Sequence, residues 1–136
     1  GSGPVPHLQF EINKPASDIE KQIIASEVRT LFAEVMETGM DHVAVSIREF
    51  GTYNLSIGRV EEPEKGVALI NADIRSGRTL QQRRELALGF MAIINRALTI
   101  PQQHIYVTFT EHKGEDFHLF EKYLAGWQQG EDPLAE

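Results

Sequence analysis

Cysteine is absent from this chain of 136 residues, so neither disulfides nor thiolate chemistry can take part in its fold or function. No apolar run reaches the eighteen or so residues that a membrane-spanning helix needs, and the first residues lack a basic-then-apolar leader pattern. An excess of positive charge is missing too: the formal net charge is -7, which argues against a nucleic-acid surface, because phosphate binding needs concentrated Lys and Arg. The five histidines show no metal-ligand spacing, so no metal is expected. These absences predict a cytoplasmic protein that binds no nucleic acid and no membrane. The length fits a single domain. Gly1-Ser2-Gly3 reads as a cloning remnant, which leaves residues 4–136 as the domain.

What the chain does contain is a pattern written twice. Leu8, Phe10 and Ile12 alternate with polar residues in the period of a half-buried strand, and Asn13-Lys14-Pro15 ends it. Ser17-Asp18-Ile19-Glu20 is a capping box, followed by Ile23, Ile24, Val28, Leu31, Phe32, Val35 and Met36 at helical spacing, with Gly39 as the expected stop. Val43, Val45 and Ile47 mark a second strand, and a further short strand is expected around Leu55 and Ile57. Residues 67–74 are apolar enough for a strand buried on both faces, and Thr79-Leu80-Gln81-Gln82 is a second capping box. Leu86, Phe90, Ile93, Ile94, Ala97 and Leu98 then form a second buried stripe, and Ile105, Val107 and Phe109 a last strand. A gapless shift of 62 residues superposes the halves: Ile12 falls on Ile74, Ser17 on Thr79, Leu31 on Ile93, Val45 on Val107 and Glu49 on Glu111.

The chain is thus predicted to be α/β (α+β): a tandem β-α-β duplication (repeats about 6–50 and 67–117, with a C-terminal tail). It should form a four-stranded mixed sheet with two helices on one face. Phe10, Val45, Leu69 and Val107 suggest more apolar surface than one helical layer covers, so the bare sheet face is expected to pack against other copies in a closed ring.

One corner stands out chemically. Arg75 and Arg78 flank Ser76-Gly77 just before the helix that Thr79 caps, so two guanidinium forks lie beside a helix start, an arrangement suited to a carboxylate or phosphate.

A duplicated β-α-β unit of this length, with a proline at its beginning and Ile-Arg-Ser-Gly-Arg-Thr before the second helix, resembles the tautomerase superfamily. That group includes 4-oxalocrotonate tautomerase, 5-carboxymethyl-2-hydroxymuconate isomerase, macrophage migration inhibitory factor, the chloroacrylic acid dehalogenases and malonate semialdehyde decarboxylase. Gly77-Arg78-Thr79 is similar to the tautomerase Gly-Arg-Ser, and Arg75 with Arg78 to the arginine pair of the dehalogenases. Thr110 to Phe117 resembles the segment Thr-Glu-Met-Ala-Lys-Gly-His-Phe, whose Phe forms an apolar active-site wall.

The resemblance implies a trimeric, cofactor-free tautomerase or isomerase acting on a small 2-oxo or 2-hydroxy unsaturated carboxylic acid. Its base would be an N-terminal proline amine. Family spacing counted back from Arg78 points to Pro6, and Pro4 is the alternative if Gly1-Ser2-Gly3 replaces an initiator Met. As written, either nitrogen is an amide, so this form is expected to be inactive. Arg75 and Arg78 would hold the substrate carboxylate, Phe117 would form a wall, and Tyr106 stands where the tautomerases carry a second Arg. Alternatives are a decarboxylase or hydratase using Asp41, and a non-catalytic trimeric scaffold. The dehalogenase reading is weakened because Leu119 and Ala33 stand where those enzymes carry a Glu and a His. Arg59, and Trp127 in the tail, are fainter candidates beside the site.

Overall fold

The computed structural model describes residues 6–120 and residue 126. Its main elements are β1 (His7–Ile12), α1 (Asp18–Met36), β2 (Ala44–Glu49), β3 (Ala68–Arg75), α2 (Leu80–Leu98) and β4 (Ile105–His112). The four strands form one sheet in the order β2-β1-β3-β4. β1 runs parallel to β2, and β3 to β4, with partners 37 residues apart in both cases (His7 with Ala44, Ala68 with Ile105), while the two halves meet through the antiparallel β1–β3 pair.

The duplication is carried into atomic detail. Both helices have 19 residues and begin and end 62 positions apart. In each, the capping box closes: Ser17 accepts the Glu20 amide while Glu20 accepts the Ser17 amide, and Thr79 and Gln82 do the same. These bonds satisfy amides that a helix start leaves without partners. Both helices end on a left-handed residue, Glu37 (φ 54°) and Thr99 (φ 55°), so α1 stops before Gly39.

The core lies between the sheet and the helices. Leu8, Phe10, Ile12, Ile70, Ala72 and Ile74 pack against Ile24, Val28, Phe32, Leu86, Phe90 and Ile94, with the Phe10 and Phe90 rings edge to face at 5.4 Å. Strand alternation decides the rest. β3 is buried on one face only, and register puts Val45, Ile47, Val107 and Phe109 on the helix side beside Leu8, Phe10, Ile70 and Ala72. Of the four residues expected to overload the helical layer, Leu69 alone faces away. The bare face is instead a polar array: Gln9 bonds Asp73, Asn71 bonds Thr108 and Thr110, and His7 shares a hydrogen bond with Ser46. The argument for association from surplus apolar surface therefore fails.

The strand expected around Leu55 does not form. Residues 50–67 make turns, with Leu55 buried. Asn13, the single buried polar residue among the described ones, fastens this segment by donating to the Thr52 and Pro63 carbonyls and accepting the Val67 amide.

Candidate functional site

Antiparallel pairing of β1 with β3 brings the chain's beginning beside the arginine corner. Continuing the register by one residue sets Pro6 opposite Ile74, one position before Arg75. Pro6 is buried, and its carbonyl accepts the Ala44 amide at 3.0 Å. The same edge of the sheet carries the end of β4, the last turn of α1 and the first turn of α2.

At that edge Gly77 adopts φ 103°, a conformation that L side chains rarely take, and turns the chain from β3 into α2. Ser76 is tied back to β4, its amide and hydroxyl both donating to the His112 carbonyl at 2.8 and 3.0 Å. Arg75 is exposed and Arg78 half-buried. Arg78 Nη1 donates to the Met36 carbonyl at 3.3 Å. Its guanidinium is held below the usual arginine range, by burial first and by the charge of Arg75 second. Among the described residues neither Arg75 nor Arg78 has a carboxylate partner, whereas Arg83 and Arg96 each do. Two like charges near enough to oppose each other would both be eased by a carboxylate placed beside them.

The repeat supplies an internal comparison. In the first half, the position equivalent to Arg75 is Asn13, the buried clasp, and the position equivalent to Arg78 is Ala16. The Ala16 amide donates to Glu49 at 3.1 Å, and Lys21 pairs with the same carboxylate at 2.9 Å. The first corner is thus filled from within by an acid. In the second half Glu111 pairs with Arg83 at 2.9 Å, and Arg83 also donates to the Arg78 carbonyl at 2.7 Å. Arg75 and Arg78 have no counterparts in the first half and are this corner's own addition.

Solved structures of the same shape fix the fold. N1, a member of the cis-3-chloroacrylic acid dehalogenase family, is 25% identical with a TM-score of 0.75, over 85% of this chain and 81% of that one. The fold is that of the tautomerase superfamily. The macrophage migration inhibitory factor of Toxoplasma gondii shares it at 18% identity and a TM-score of 0.73 (85% of this chain, 97% of that one). So does R7, a fused 4-OT solved as an asymmetric trimer, at 20% identity and a TM-score of 0.72 (89% and 99%). No family model and no curated protein matches the sequence.

On this tautomerase fold the expected site residues separate into two groups. Pro6, Arg75 and Arg78 share one edge, and Phe117 follows closely after β4, its ring perpendicular to that of His112 at 5.4 Å. Tyr106 is elsewhere. It pairs with Leu69 near the start of β4, six residues from His112, or about 20 Å along the strand. There it lines an open concavity on the bare face with Gln9, Glu11, Arg48 and Asn71. Within one chain Tyr106 does not reach the arginines. Asp41 is exposed in the turn before β2. Pro4 and Trp127 lie outside the described residues. No helix among the described residues is long and apolar enough to cross a membrane, and no three potential metal ligands cluster among them.

Sequence reasoning missed the pairing of Asp73 with His112 at 3.0 Å. Their separation of 39 positions leaves no local signature, although both fall on the bare face once the strand register is known.

Proposed function

We propose that this chain is a cofactor-independent tautomerase or isomerase of a small 2-oxo or 2-hydroxy unsaturated carboxylic acid, with Pro6 as its base when that residue begins the chain. The observation that supports the reading is register: Pro6 falls opposite Ile74, the residue before Arg75, at the end of the sheet where Arg75 and Arg78 lack carboxylate partners. A ring amine at this buried position, near two guanidinium groups, loses proton affinity through both desolvation and like charge. A base so tuned can accept and return a proton near neutral pH. Arg75 and Arg78 hold the carboxylate and stabilise the charge that develops on the enolate, while Phe117 closes one side.

The working unit in this reading is a homotrimer, as supported by the trimeric fused 4-OT of the same fold. Tyr106 would then serve a neighbouring copy's site.

The test compares three forms: the chain as given, one beginning at Pro6 and one beginning at Pro4. Ketonisation of phenylenolpyruvate or 2-hydroxymuconate is followed by absorbance. Turnover is expected from the form beginning at Pro6, with loss on blocking the amine and a weakened reaction in Arg78→Ala. Equal rates for all forms and for the arginine variant would sink the proposal.

A further inference from the structure

Beside the arginines, on the bare face, lies an array of side chains that the proposed chemistry leaves unused. The Asp73 carboxylate is held at both oxygens: Gln9 Nε2 donates to Oδ2 at 2.6 Å, and His112 Nε2 bonds Oδ1 at 3.0 Å. An ionised carboxylate only accepts, so a neutral ring bonded to it donates from Nε2 and keeps the lone pair on Nδ1. The ring is braced by the Phe117 edge, and the backbone of His112 by the two hydrogen bonds from Ser76. A base whose far nitrogen is oriented by a fixed carboxylate is the arrangement expected of a proton-transfer group.

Register says what this base would meet. His112 is the direct cross-strand partner of Arg75, with strand axes about 5 Å apart. A 2-oxo or 2-hydroxy acid carries that oxygen on the carbon next to its carboxylate, so a carboxylate on Arg75 would bring it toward the strand that bears His112.

We propose that His112, oriented by Asp73, is a second catalytic residue of this site and takes the 2-hydroxyl proton of the substrate enol. The inference rests on the tautomerase reading. In the ketonising direction the O–H proton passes to Nδ1 and the O–H electron pair becomes the C2=O π bond. The alkene electron pair takes a proton from the Pro6 ammonium at carbon, and solvent returns the imidazolium proton to the amine. The titratable and charged groups around the ring are Asp73 and Arg75 on β3, His7 on β1 opposite Asp73, and Lys113, Glu115 and Asp116 in the following turn.

The experiment uses the chain beginning at Pro6 and two variants, His112→Gln and His112→Phe. Gln can still donate to Asp73 but has no titratable nitrogen, and Phe keeps the contact with Phe117. Both are expected to lose about a hundredfold in kcat with KM changed less than about threefold, and to lose the low-pH limb of the kcat/KM profile that neutral imidazole imposes. A merely structural His would be rescued by Gln. An active parent whose His112→Gln variant keeps its kcat and its limb overturns this inference alone, while an inactive parent overturns the tautomerase reading and this one with it.

Discussion

Gln9 and Asn71 stand directly opposite each other in the β1–β3 ladder, and they are also the pair related by the 62-residue repeat. A local two-fold axis therefore passes between them and maps each half of the chain onto the other. Departures from that symmetry mark positions where the halves were put to different use.

The sharpest departure is Asn13 against Arg75. Asn13 is 5% exposed and satisfies the Thr52, Pro63 and Val67 backbone groups. Replacing it by Ala strands the buried Val67 amide and two half-buried carbonyls and is expected to cost about 2–4 kcal/mol in urea unfolding.

Arg78 and Arg75 should respond differently to removal. α1 has no basic residue in its last turn, and Arg78 supplies a cation to the Met36 carbonyl there. Arg78→Ala is expected to lower stability by about 0.3–1 kcal/mol. Arg75→Ala, which relieves like-charge repulsion, should leave stability unchanged or slightly higher. Urea midpoints of the two variants test the ordering.

Two glycines with positive φ differ in their surroundings. A Cβ on Gly66 (φ 109°) would lie 2.5 Å from Ile100 Cγ1, whereas around Gly77 nothing lies within 4 Å. Gly77→Ala should cost only backbone strain, about 1–2 kcal/mol, and Gly66→Ala about 3 kcal/mol or more. Thermal melts of the pair would measure the close approach directly.

The two caps give a matched comparison. Ser17→Ala and Thr79→Ala each remove a side-chain acceptor for one helix-start amide, and each is expected to cost about 1 kcal/mol. Losses of unequal size in chemical denaturation would show that tertiary setting, not the cap itself, governs one end.

Acid should loosen the first corner. The Glu49 carboxyl is held below its ordinary 4.5, chiefly by the hydrogen bond from Lys21 and then by that from the Ala16 amide. A depressed acid contributes stability that is present above its unfolded pKa and lost as pH falls through the lower folded value. NMR titration should find Glu49 protonating below 4.5, and Glu49→Gln should flatten the acid side of the stability profile.

Much of this architecture could be read directly from residue patterns. Capping boxes at Ser17 and Thr79 and the apolar spacing after them located both helices, because these signals are local. The gapless repeat then fixed the order of elements. Which face each strand buries was harder, since Phe10, Val45 and Val107 are apolar whichever way they point, and only pairing shows that all three face the helices. Leu55 read as strand because a buried plug and a short strand look alike in composition. At the site, the arginine corner was visible as spacing, whereas the choice of Pro6 came from the family resemblance and not from any local signal. The hydrogen bonds of Asn13 and the pairing of Asp73 with His112 join distant segments, so nothing nearby in the chain announces them.

Duplication within one polypeptide also fixes a stoichiometry. Two separate copies of the unit would offer two leading residues, but a fused chain has one beginning, so at most one terminal amine can sit among two corners. The first corner, beside which the chain runs on without a break, is sealed by Glu49, with Asn13 as a clasp nearby. A reagent that acylates the leading amine should therefore saturate at a single equivalent per chain, whatever the number of chains assembled.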